Sequence, residues 1–92
     1  MGNYQIKLGL MIKEYRNKAQ LSQAELAKKL GYTTPQFVSN FERGVGKVPL
    51  VVVGRLIKIL ELPEREIMQL LIDEYTLEVK KDIAQGKKPR GS

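Results

Sequence analysis

The chain has 92 residues, 42% of them hydrophobic, with a formal net charge of +6 and neither histidine nor cysteine. That length supports one domain around one modest core, and the missing residue types exclude disulfides and zinc fingers and remove most metal and proton-shuttle chemistry. No apolar run approaches the ~20 residues of a membrane span and no signal-peptide pattern opens the chain, so no membrane partner and a cytoplasmic, nucleoid-associated location are expected.

In chain order the sequence predicts helix after helix. From about residue 5 to Lys18, Leu8, Ile12, Tyr15 and Ala19 recur at helical spacing. Ser22-Gln23-Ala24-Glu25 is a capping-box pattern that opens a second helix, with Leu26, Ala27 and Leu30 as its inner stripe and Gly31 as a left-handed C-cap. Proline suits the first helical position and disfavours helix in the residue before it, so Thr34-Pro35 predicts a third helix with Thr34 as N-cap. That helix runs to about Glu42 with Phe37, Val38 and Phe41 inward, and Gly44 stops it. After a Gly-rich loop, Pro49 starts a fourth helix through about Leu60, and Pro63 starts a fifth. Val51-Val52-Val53 is β-prone but lies inside a helical pattern, so the fold class is all-α with five helices. The domain covers residues 1–85, with the last helix extended, and residues 86–92 read as a disordered basic tail.

Charge is unevenly placed along these elements. Residues 1–60 carry +7, residues 61–85 carry −4, and residues 86–92 add +3. A basic body followed by an acidic segment suits a protein that meets a polyanion with one face. On charge alone a solvated basic surface is an equal reading.

The most informative stretch is Leu21-Ser-Gln-Ala-Glu-Leu-Ala-Lys-Lys-Leu-Gly31, followed by Thr33-Thr-Pro-Gln-Phe-Val-Ser-Asn-Phe-Glu-Arg-Gly44. Two helices that meet steeply need a small residue at the crossing, supplied by Ala27, and a turn residue tolerant of positive φ, supplied by Gly31. These residues resemble the lambda repressor and Cro (Xre) family of helix-turn-helix proteins, over roughly residues 5–72 with the motif itself at 22–43. The resemblance implies a lambda-repressor-like fold and a sequence-specific regulator of transcription that binds double-stranded DNA, a repressor on a palindromic operator.

It also implies roles for particular positions. Gln23, at the start of the second helix, takes the place of a phosphate contact, in keeping with the affinity of helix N-termini for anions. The third helix becomes the reading helix, with Thr33, Thr34, Gln36, Ser39 and Asn40 at or near the bases. Gln36 and Asn40 are the best readers, because side-chain amides pair with the adenine N6/N7 edge. Arg43 and Lys47 flank a loop that touches phosphates. Arg16 and Glu42 match an ion pair joining the first helix to the end of the third. One feature departs from the family: Leu30 to Gly44 is one residue longer than usual, which enlarges the turn around Thr33–Pro35.

Catalysis is not expected, since Ser22 and Ser39 lack a histidine partner and the acids of 61–85 spread along one helix. No cofactor, metal or small-molecule ligand is expected. An antitoxin or adaptor that uses the same fold to bind a protein is the alternative function. Against it stands the polar character of Gln23, Gln36, Asn40, Arg43 and Lys47 alike. The fifth helix carries two apolar stripes. Ile67, Leu70 and Leu71 suffice to dock it on the domain, which leaves Met68, Ile72, Tyr75, Val79 and Ile83, at coiled-coil-like spacing, for a homodimer interface.

Overall fold

The computed structural model describes residues 3–89. Helices α1 (Asn3–Lys18), α2 (Gln23–Leu30), α3 (Gln36–Arg43), α4 (Leu50–Leu60) and α5 (Glu64–Gly86) follow one another, with no strand among the described residues. The all-α expectation holds. Residues 90–92 of the expected tail lie outside the described residues, whereas Gly86 closes α5 and the Lys87 N–H bonds back to the Ile83 carbonyl at 3.1 Å.

Local chemistry sets the ends of α2. The Ser22 hydroxyl accepts from the Glu25 N–H at 3.0 Å while the Glu25 carboxylate accepts from the Ser22 N–H at 2.7 Å. The capping box is therefore complete. The Ser22 backbone amide, then its hydroxyl, hold the Glu25 carboxyl below its ordinary pKa. Gly31 (φ 90°) and Gly44 (φ 70°) end α2 and α3 in the left-handed region, where a Cβ is penalised. Pro35 has helical dihedrals (φ −76°, ψ −2°), and the Thr34 hydroxyl accepts from the Gln36 N–H at a long 3.4 Å. The helix therefore starts one residue later than expected, at Gln36, with Pro35 and not Thr34 in the N-cap position and no side-chain cap.

The core joins Leu8 and Ile12 of α1 to Leu26, Ala27 and Leu30 of α2, Val38 and Phe41 of α3, and Val52, Val53, Leu56 and Leu60 of α4. Leu62 and Ile67 close it from the α4–α5 corner. Two expected inward residues are elsewhere. Ala19 lies past the end of α1 and is exposed. Phe37 is 49% exposed; its ring stacks on Tyr32 with centroids 4.4 Å apart. The pair packs across the enlarged turn, with Tyr32 also edge-on to Phe41. Phe37 is therefore drawn to a local aromatic partner instead of the core.

Among the described glycines, the one approached most closely by another backbone is a residue that periodicity did not single out. Gly9, on α1, is buried where α1 crosses α3. A Cβ built there would lie 2.3 Å from the Phe41 carbonyl oxygen and 2.7 Å from that of Glu42. Both obstacles are backbone, so neither can rotate away. Gly9 sets how closely the third helix can lie against the first.

Ile67 anchors α5 and Leu70 and Leu71 are half-buried against the core. Beyond them almost every side chain is exposed. At 1.5 Å per residue the 23 residues of α5 span about 34 Å, and the molecule measures 53 × 26 × 18 Å. The last helix outruns the domain.

Candidate nucleic-acid interface

The end of α3 is tied to the other helices by a buried ion pair. The Arg16 Nε donates to Glu42 Oε2 at 2.5 Å and Nη2 donates to Oε1 at 3.1 Å. The remaining guanidinium nitrogen, Nη1, donates to the Leu21 carbonyl at 2.8 Å, just before α2. Hydrogen bonding to Glu42 raises the Arg16 pKa above the ordinary guanidinium value, against the opposing effect of burial. Both side chains are nearly removed from solvent, so the expected pair is present and bidentate, the strong geometry for arginine and carboxylate.

Gln23 joins this network. Its Nε2 donates to Glu42 Oε1 at 3.0 Å, a bond that residue spacing does not reveal. The bond orients the Gln23 amide at the N-terminus of α2, leaving one amide N–H and the carbonyl oxygen. Glu42 thereby receives three donors, and among the described residues no buried side-chain nitrogen or oxygen lacks a partner.

On the opposite side of α3 the side chains are polar and accessible. Gln36 Nε2 donates to Asn40 Oδ1 at 3.0 Å, and Arg43 Nη2 donates to the same oxygen at 2.7 Å. Residues 36, 40 and 43 share one helix face by their spacing, and these bonds join them into a single row. Arg43 thus belongs with the expected readers. Ser39 is half-buried beside them, and Thr33 and Thr34 are exposed in the turn. The amphipathic logic of α3 is complete: Val38, Phe41 and Glu42 face the protein.

Lys47 stands apart from this row. Its ammonium lies 3.6 Å from the Glu78 carboxylate of α5, in an exposed pair. It rims an open groove of about 560 Å³ walled by Tyr4, Val48, Pro49, Leu50, Met68, Leu71, Ile72 and Tyr75. Three of the five residues expected at a dimer interface, Met68, Ile72 and Tyr75, line this groove, and Val79 and Ile83 continue along α5. All five are exposed, between 36% and 69%. Leu50, also a wall residue, is 73% exposed; the contribution of α4 to this surface was not visible in the spacing of α5 alone. Among the described residues no group of acids could hold a metal ion, and no helix is long and apolar enough to cross a membrane.

Comparison with known proteins matches this geometry to a family. The helix-turn-helix family model matches residues 12–67, more than half of the chain. The crystal structure of the restriction-modification controller protein C.AhdI from Aeromonas hydrophila is 32% identical. It aligns over 73% of this chain and 99% of its own, with a TM-score of 0.62. The clp gene regulator ClgR from Corynebacterium glutamicum shares the fold at 19% identity, over 89% of this chain and 87% of its own, with a TM-score of 0.64. So does the wild-type restriction-modification controller protein C.Esp1396I, at 23% identity over 82% and 95%, with a TM-score of 0.62. Comparison with curated proteins gave no match. The matched segment holds both motif helices, the Arg16–Glu42 pair and the polar row of α3, and the chain belongs to the helix-turn-helix family of DNA-binding regulators, of the Cro and lambda-repressor type.

Proposed function

We propose that the protein is a dimeric repressor that places α3 in the major groove of a palindromic operator. The observation that carries this reading is the exposed row Gln36–Asn40–Arg43, held on the outer face of a helix whose inner face is fixed to the core. Hydrogen-bonding side chains of this kind, presented rigidly, are what base edges in the major groove select for. Gln23 and the free amides of α2 meet one phosphate. Lys47 meets another after leaving Glu78, an exchange that costs little because exposed pairs are worth about 0–1 kcal/mol. A bound dimer blocks a promoter by occupancy alone, which makes repression its simplest outcome.

Selection from a random duplex pool, followed by equilibrium binding to the selected site, tests the reading. Gln36→Ala is expected to lose preference for the selected site by roughly tenfold while binding to unrelated duplexes is retained. Lys47→Ala should weaken binding to every duplex alike. Wild-type affinity should fall severalfold or more as salt rises to physiological levels, because phosphate contacts release counterions. A protein that binds no duplex even at low salt overturns the proposal.

Dimerisation follows from the same surface. One reading helix covers only a few base pairs, and two half-sites about 34 Å apart require two copies. The second copy is the occupant proposed for the groove and the α5 stripe: the stripe runs past the end of the domain, so a partner helix has room to pack along it. Sedimentation should give a dimer for the wild type and a monomer for Ile72→Glu with Val79→Glu, whose exposed positions leave the fold intact. A wild type that stays monomeric at high concentration ends the dimer model.

A further inference from the structure

We propose that Arg43 and Asn40 together read a guanine, so that α3 presents hydrogen-bond donors to the operator where its amide side chains alone would favour adenine. This rests on the major-groove reading above and specifies the base it selects. The assignment of atoms is forced by chemistry. A guanidinium has no acceptor, so the Asn40 atom 2.7 Å from Arg43 Nη2 must be the carbonyl oxygen. That same oxygen then obliges Gln36 to approach with its NH₂ group at 3.0 Å. Asn40 Oδ1 is thereby occupied twice.

An asparagine pairs with adenine by accepting from N6 through Oδ1 while donating to N7. Here the acceptor is spent on neighbours and only the Nδ2 donor remains free. The guanidinium that occupies it brings further N–H donors to the same place. Arg43 is the last residue of α3, but a helical side chain leans toward the helix N-terminus. Its contact with Asn40 sets the charged group one turn back, where the reading helix meets bases. Two adjacent donors match the O6 and N7 acceptors that only guanine offers side by side in the major groove. Gln36 keeps its own carbonyl oxygen free and remains the one acceptor of the row, suited to an adenine or cytosine amino group at the adjoining step.

The test uses the selected operator with single base replacements. A guanine in each half-site should be required. Its replacement by 7-deazaguanine, which removes N7, should weaken wild-type binding about tenfold, whereas inosine, which keeps O6 and N7 and alters only the minor groove, should bind nearly as well. Arg43→Met, at an exposed position, should erase the difference between guanine and 7-deazaguanine at that base pair while preferences elsewhere persist. Equal weakening of all duplexes by Arg43→Met would show a phosphate contact and overturn the proposal. So would a selected site without guanine, or one sensitive to inosine. If Gln36→Ala still loses preference in that case, the major-groove reading survives and only the guanine assignment fails.

Discussion

Gly9→Ala is expected to lower the melting temperature by roughly 12–24 °C, the consequence of about 3 kcal/mol in a domain of this size. The added methyl carbon would sit 2.3 Å from one carbonyl oxygen and 2.7 Å from the next, both in the last turn of α3. Relief requires α1 and α3 to separate, and their separation would loosen the buried contacts of Leu8, Ile12, Val38 and Phe41 together. Overpacking costs of ~1–3 kcal/mol usually assume that side chains can rearrange; here the obstacle is backbone, which places the cost at the upper end. Gly54→Ala is the matched control. Gly54 is exposed within α4 and a Cβ there meets nothing within 4 Å, so alanine should stabilise by up to about 1 kcal/mol through helix propensity. Thermal unfolding of the two variants decides the matter. Melting of Gly9→Ala within a few degrees of the wild type would mean that the helices part freely.

Gly9 also shows where sequence reading stops. The capping box of Ser22 and Glu25, the left-handed Gly31, the stop at Gly44 and the inner stripe of α2 are local patterns, and each is present as expected. Gly9 answers to carbonyls far along the chain, and nothing in its own neighbourhood marks it. Phe37 misled for a related reason: helical periodicity places it inward, but its ring stacks on Tyr32 across the turn. In the interface, the residue types and the face were legible from spacing. The bonds were not. Gln36, Asn40 and Arg43 could be placed on one side of α3, but that Asn40 Oδ1 is shared by both neighbours depends on rotamers. Gln23 was assigned to a phosphate by resemblance; its bond to Glu42 depends on how α2 is set against α3.

That setting is controlled by Arg16 and Glu42, and Glu42→Ala is expected to destabilise the fold by about 3–5 kcal/mol, a large part of the roughly 5–15 kcal/mol that holds a small domain together. Removing the carboxylate leaves the guanidinium of Arg16, a buried residue in the intact fold, with only the Leu21 carbonyl as a partner, and strands the Gln23 amide as well. A buried acid in that position could discharge by binding a proton, but a guanidinium cannot lose its charge in water at any working pH. Its pKa is raised by Glu42, so its contribution is fully present below the ordinary guanidinium pKa and is lost only as pH rises beyond the raised one. Buffer pH therefore offers no rescue. Chemistry does: Arg16→Met combined with Glu42→Leu fills the space without a buried charge and should recover most of the loss. Urea unfolding of Arg16→Met, Glu42→Leu and the double variant gives the coupling energy, expected to exceed about 1 kcal/mol for groups in direct contact. A Glu42→Ala cost below about 1 kcal/mol would place the pair with ordinary surface bridges. The double variant separates stability from function. It should fold, yet bind its operator more weakly, because the ion pair and Gln23 together fix the end of α3 against the start of α2, the two places proposed to meet DNA.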